Sequence, residues 1–167
     1  MTCSCTLTPV TIAVGTMQTY VKSTGSDMTE DIAEKLGRKL HGGEIIELVS
    51  DLGGGKTTFV RGLARGLGSS DKVRSPSFTI ANVYRAGELT LHHYDFYRLD
   101  DPGIIARQLA EITTDKKAIV VIEWAIVIQQ ALRRAHLVIS LNQTGEQTRD
   151  ITLDYPEQYA YLFDKQA

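Results

Sequence analysis

Residues 50 to 57 read Ser-Asp-Leu-Gly-Gly-Gly-Lys-Thr. A loop that holds phosphate through its backbone must aim its N–H groups inward, which requires residues that tolerate positive φ. Gly53, Gly54 and Gly55 supply that tolerance, with Asp51 and Leu52 leading into them. A lysine placed directly after such a loop reaches the β- and γ-phosphates of a nucleotide, and the hydroxyl residue after it holds Mg²⁺. Lys56 and Thr57 stand in those two places, followed by Thr58. The phosphate-loop pattern of Gly, four residues, Gly-Lys and Ser or Thr is met everywhere except the first position, where Ser50 replaces glycine. A serine there strains the loop only if its backbone needs a conformation reserved for glycine. The chemistry indicated is binding of a nucleoside triphosphate with Mg²⁺; a tight turn with a solvated lysine is the bland alternative.

Hydrolysis needs more than a cradle, because the metal shell must be completed and water oriented. Glu123 ends the apolar run Ala118-Ile119-Val120-Val121-Ile122. A carboxylate at the C-terminal end of a buried strand faces the crevice used by ligands in open α/β sheets, so Glu123 is the candidate for the metal side. Asp95 follows the run ending in Tyr94 and is the candidate for positioning or deprotonating water. Their bland counterparts are a solvated strand-end carboxylate and a turn-forming aspartate. Trp124, the only tryptophan, reads as core or interface. His92 and His93 are adjacent, so on a strand they point to opposite faces and cannot share a metal. Arg133-Arg134 reads as a solvated helix end, although arginine can also reach phosphate.

These residues need elements to position them. Ser26 or Asp27 caps a helix whose apolar positions Met28, Ile32, Leu36 and Leu40 recur every four residues, ended by His41-Gly42-Gly43. Residues 44–49 suit a short strand, and Lys56 to Leu67 returns to helical spacing, so the glycine loop lies between strand and helix. Phe78 to Tyr84 and Leu89 to Tyr94 form a hairpin around residues 85–88. Asp101-Pro102 opens a short helix through Leu109. The run 118–122 is the best candidate for the sheet centre. Ile126 to Arg134 is a possible helix, 136–141 and 150–153 are late strands, and the tail from Pro156 is a possible helix. Helices between strands with one hairpin give an α/β fold, a P-loop NTPase-like mixed sheet with flanking helices.

The 167-residue chain suits one domain, which we expect over residues 18–167 after a disordered leader at 1–17, with Met17 a conceivable natural start. Apolar residues make up 43% and charged residues 23%, which argues against disorder and against a membrane protein. A net charge of −2 leaves no basic field to hold nucleic acid by counterion release, so strong direct nucleic-acid binding is not expected. Cys3 and Cys5, one residue apart, build no disulfide framework, and no signal peptide pattern precedes the domain; a cytoplasmic location fits.

The order of motifs resembles the TsaE family, also called YjeE: Asp51-Leu52-Gly53-Gly54-Gly55-Lys56-Thr57-Thr58, Arg61-Gly62, Ser75-Pro76-Ser77-Phe78-Thr79, His93-Tyr94-Asp95-Phe96-Tyr97-Arg98-Leu99 and Ile122-Glu123-Trp124. The resemblance spans roughly residues 20 to 155. It implies an ATPase of bacterial threonylcarbamoyladenosine formation on tRNA, working with TsaB and TsaD, whose assembly it resets by ATP turnover. By the same resemblance Lys56 and Thr57 are the phosphate lysine and the magnesium threonine, Glu123 is a second metal-side residue and Asp95 is an essential aspartate. Trp124 matches a residue the family needs, Ser75 to Thr79 its switch-like loop, and Thr29 a residue near the nucleotide. The chain departs from the family in Ser50 for glycine, Gly54 for the usual alanine and Ser77 for threonine. It departs again in Ala125-Ile126-Val127 and Leu132-Arg133, where an acidic residue and a Leu-Pro pair are common.

Two other function classes use the same loop. A small-molecule or nucleotide kinase needs an arginine-bearing lid, for which only Arg133-Arg134 offers itself. A nucleotide-gated interaction module would bind without appreciable hydrolysis. No Asn-Lys-x-Asp sequence is present to read guanine, which favours adenine.

Overall fold

The run 118–122 has apolar side chains on both of its faces, so it must be covered on both. The computed structural model describes residues 10–13, 16–98, 103–125 and 136–163. In chain order these form β1 (Val10–Ala13), β2 (Thr16–Ser23), α1 (Ser26–Gly37), β3 (Ile45–Val49), α2 (Lys56–Gly66), β4 (Ala81–Ala86), β5 (Leu89–Asp95), α3 (Gly103–Ile112), β6 (Ala118–Glu123), β7 (Leu137–Gln143) and β8 (Arg149–Pro156), then a 3-10 helix at Glu157–Leu162. The strands make one eight-stranded sheet in the order β1-β2-β8-β7-β3-β6-β5-β4. Its interior strands β7, β3, β6 and β5 are mutually parallel, and antiparallel pairs flank them. The fold is mixed α/β.

All six residues of β6 are buried. Successive side chains serve opposite faces. Ile119 and Val121 join Phe59, Val60 and Leu63 of α2 and Leu36 of α1. Val120 and Ile122 join Ile45, Tyr94, Phe96 and Leu109 of α3. Helices therefore cover both faces, and each fully buried aliphatic chain contributes about 1.5–3 kcal/mol to holding the layers together. The parallel registers Leu48 to Glu123 and Asp95 to Glu123 bring the C-terminal ends of β3, β5 and β6 level at one rim of the sheet. A ligand crevice in an open α/β sheet lies on that side.

Helices α1 and α2 pack closely enough that a Cβ on Gly62 would lie 2.3 Å from the Glu30 carbonyl oxygen and 2.6 Å from the Ala33 Cβ. Neither neighbour is a flexible side-chain end, so the helices would have to separate. Gly62→Ala is expected to destabilise the protein by about 1–3 kcal/mol despite the gain in helix propensity, read as a lower denaturant midpoint. Nucleotide affinity measured well below that midpoint should be unchanged.

Several expectations need correction. The leader assigned to disorder over 1–17 contains β1, which pairs antiparallel with β2, and Thr16 and Met17 already belong to β2. Residues 1–9 and 14–15 lie outside the described residues. Neither Ser26 nor Asp27 caps α1: Gly25 is the N-cap, in extended backbone, and Ser26 is already helical. The hairpin begins at Ala81 rather than Phe78, because 77–80 form a turn with Thr79 and Ile80 amides donating to the Pro76 carbonyl at 2.9 and 2.7 Å. The helix expected at 126–134, with Arg133 and Arg134, and the positions Leu99, Asp101 and Pro102 lie outside the described residues. Among the described residues no helix is long and apolar enough to cross a membrane.

Candidate active site

The glycine loop joins the C-terminal end of β3 to the start of α2. Gly53 and Gly55 adopt φ of 76° and 103°, where a Cβ would clash with the backbone. Gly55 is the N-cap of α2 and has no side-chain capping partner. The Phe59 amide bonds the Gly55 carbonyl at 2.9 Å, so the amides of Gly55, Lys56, Thr57 and Thr58 precede the helix's own hydrogen-bond ladder. Four such donors at the positive end of a helix dipole form an anion site. They border a cavity of about 300 Å³, which Leu52, Thr57 and Thr58 also line.

Lys56 is only 7% exposed. Its ammonium donates to the Ser50 carbonyl at 3.3 Å, the Ser50 hydroxyl at 3.1 Å and the Asp51 carbonyl at 3.1 Å. It lies 3.8 Å from Glu123 Oε2 and 5.1 Å from the centre of the Trp124 ring. Glu123 is buried at the end of β6, so it is not the solvated strand-end group of the bland reading. Its Oε1 is 2.8 Å from Nε2 of fully buried His93. With the Glu123 carboxylate as acceptor, His93 Nε2 is the donor of this hydrogen bond. His92, on the opposite face, bonds the Thr90 hydroxyl, and burial holds its imidazole below the ordinary range. The sequence separates the two histidines by strand parity but does not reveal that His93 supports Glu123.

Asp95 combines both of its readings. Oδ1 accepts the Tyr97 amide at 3.0 Å, a turn-forming role, while Oδ2 accepts the Ser77 hydroxyl. Ser77 also shares a 2.7 Å hydrogen bond with Ser75. Asp95, Ser75, Ser77, Tyr97, Glu123 and Trp124 line the same cavity as the glycine loop. Trp124 has φ of 61° and Ile80 has φ of 65°. A bulky or β-branched residue in that region costs roughly 1–3 kcal/mol, and here the two strained positions bracket Asp95 and Glu123. The Ile80 carbonyl accepts the Asp95 amide at 2.9 Å, and the Glu123 carbonyl accepts the Phe96 amide at 3.1 Å.

Ser50 is not a strained position: the described non-glycine residues with positive φ are Ile80 and Trp124. Its hydroxyl donates to the Asp51 carbonyl at 3.0 Å while accepting from Lys56. A Cβ on Gly54 would stand 2.5 Å from the Ser50 Oγ and 2.8 Å from its Cβ, so the serine side chain occupies the space that an alanine at 54 would need. Gly54→Ala is expected to weaken Mg-ATP binding about tenfold. Adding Ser50→Gly should recover most of it, a coupling of about 1 kcal/mol or more in a double-mutant cycle of titrations. Additive effects would show that the two positions do not share this space.

Thr29 stands apart from the cavity lining. It is buried in the first turn of α1, where its hydroxyl donates to the Gly25 carbonyl at 3.0 Å and lies 2.7 Å from the Ser23 hydroxyl. Asp51 also falls outside the lining and contributes its carbonyl to Lys56. Among the described residues no group of three His, Cys, Asp or Glu side chains could hold a metal ion. Thr57 and Glu123 both line the cavity, a hydroxyl and a carboxylate of the oxygen-donor kind that a hard cation such as Mg²⁺ takes.

Residues 23–151 match the family model described as threonylcarbamoyl adenosine biosynthesis protein TsaE. The chain is similar to the tRNA threonylcarbamoyladenosine biosynthesis protein TsaE of Bacillus subtilis, 33% identical over 78% of this chain and 82% of the relative. It is similar to the protein of the same name from Treponema pallidum, 39% identical over 71% of this chain and 87% of the relative. The crystal structure of Bacillus subtilis YdiB superposes with a TM-score of 0.72 at 30% identity, covering 87% of this chain and 90% of that one.

Proposed function

Because the chain belongs to the TsaE family of threonylcarbamoyl adenosine biosynthesis proteins, we propose that it is a P-loop ATPase serving threonylcarbamoyladenosine modification of tRNA. On this reading it binds Mg-ATP in the cavity at the C-terminal rim of the sheet and hydrolyses it to reset an assembly of TsaB and TsaD in the cytoplasm. The observation that carries the reading is convergence: a lysine and a hydroxyl from the start of α2 and two carboxylates, one ending β5 and one ending β6, meet the glycine loop around one cavity of about 300 Å³.

The roles follow from the contacts. The glycine-loop amides and Lys56 bind the β- and γ-phosphates, Lys56 leaving the Ser50 and Asp51 oxygens to do so. Mg²⁺, when bound, neutralises charge between the β- and γ-phosphates. Thr57 and Glu123 would hold it, and the His93 hydrogen bond fixes the Glu123 carboxylate for that role. Asp95 orients water for attack once its Oδ2 is released by Ser77.

That last contact also favours a second reading, a nucleotide-gated module whose hydrolysis is negligible alone, because both oxygens of Asp95 are engaged in the free chain. Phosphate release by the isolated protein, compared with release after adding TsaB and TsaD, separates the two. The ATPase reading expects measurable release alone and an increase with partners. Tight ATP binding with no release by the protein alone, whether or not TsaB and TsaD start it, would favour the gated module. No contact among the described residues favours the kinase reading.

A further inference from the structure

Arg149 opens β8, far along the chain from the glycine loop, paired in register with Ser23 of β2 and Gln143 of β7. Its Nε donates to the Gly54 carbonyl at 2.7 Å across 95 residues of sequence, and its Nη1 donates to the Gln147 carbonyl at 3.1 Å. The guanidinium also presses on the loop: a Cβ on Gly55 would lie 2.9 Å from Arg149 Nε. Gly54 and Gly55 line the cavity, whereas Arg149 does not.

The Gly54 carbonyl and the Gly55 amide belong to one peptide unit. No peptide bond among the described residues is cis, and in a planar trans unit C=O and N–H point in opposite directions. Fixing the carbonyl on the outer side of the loop therefore aims the Gly55 N–H into the cavity. We propose that Arg149 is a positioning residue for phosphate binding, which holds the Gly54–Gly55 peptide in the orientation that presents the Gly55 amide to a nucleotide phosphate. Without that anchor the unit sits between two glycines, the residues least able to resist a peptide flip. A charge-assisted hydrogen bond is strong enough to decide such an equilibrium. The guanidinium supplies the bond in a fixed plane, which a lysine does not reproduce.

The inference rests on the Mg-ATP reading above, and the test separates the two. Calorimetric titration of Mg-ATP into wild type, Arg149→Lys and Arg149→Met is combined with the amide signal of Gly55 in nitrogen-15-labelled protein and with thermal melting. Wild type should bind, with a large shift of the Gly55 amide. Arg149→Met should bind roughly tenfold or more weakly with its melting temperature nearly unchanged, and its Gly55 amide should move little. Arg149→Lys should lie between the two. Arg149→Met binding within twofold of wild type, with the same Gly55 shift, would overturn the role of Arg149 while leaving Mg-ATP binding intact. A wild type that does not bind would overturn both. If Arg149→Met does not fold, wild type decides: a Gly55 amide that ignores bound Mg-ATP refutes the inference, and one that moves with it upholds the inference if Arg149→Lys reduces the shift.

Discussion

Lys56→Ala is expected to abolish Mg-ATP binding, lowering affinity by a factor on the order of 10²–10³, as measured by calorimetry. An ammonium bridging two phosphates makes charge-assisted hydrogen bonds of about 1.5–3 kcal/mol each, and alanine retains none of them. The substitution also acts on the free protein. Lys56 lies 3.8 Å from the buried Glu123 carboxylate, and its removal leaves that group with His93 as its one remaining partner among the described residues. Breaking a buried pair by deleting one member typically costs about 3–5 kcal/mol, so the melting temperature should fall as well. Lys56→Arg retains the charge but must fit a bulkier planar group among the Ser50 and Asp51 oxygens, and it should recover stability before it recovers binding.

Asp95→Ala and Glu123→Ala are expected to have the converse signature: Mg-ATP affinity within about threefold to tenfold of wild type, and turnover reduced by a factor on the order of 10²–10⁴. Binding survives because the glycine-loop amides remain, and in Glu123→Ala the Ser50 and Asp51 oxygens still hold Lys56 in place. Turnover fails for different reasons. On the proposed reading, Asp95→Ala removes the carboxylate that orients water, and Glu123→Ala removes the carboxylate that would sit on the metal side. Phosphate release in the presence of TsaB and TsaD is the readout, and unchanged turnover in either variant would reject that residue's role. Asp95→Asn retains the acceptor for the Tyr97 amide, so it should restore the stability that Asp95→Ala loses without restoring turnover.

The parts of this architecture that sequence exposes are those in which one local rule dominates. The continuous apolar run of β6 needed cover on both faces and received it, and the glycine triplet between a strand and a helix formed a positive-φ loop at the N-terminus of α2. Asp95 and Glu123 are readable because each ends a parallel strand, and register then sets them side by side. What stays hidden depends on pairing across long separations. Arg149 reaches Gly54 only because β8 returns antiparallel beside β7, a neighbourhood no local pattern encodes. His93 could be separated from His92 by strand parity, but its partner Glu123 lies on another strand, 30 residues away. β1 was missed because the alternation in Val10-Thr11-Ile12 is shorter than the four to eight residues that argue a strand, while its pairing with β2 is not written in any local pattern. Thr29 carries a role only by resemblance, and its hydroxyl is taken up inside the first turn of α1.

Trp124 offers the most direct test of the central claim, because it is the only tryptophan and lines the cavity, its ring centre 5.1 Å from the Lys56 ammonium. Titrating wild-type protein with ATP, with and without Mg²⁺, while recording tryptophan emission should give a saturable change that is tighter with the metal present, as the ammonium leaves the ring for phosphate. Emission that stays flat to millimolar Mg-ATP, with no heat in a parallel calorimetric titration, would contradict the account.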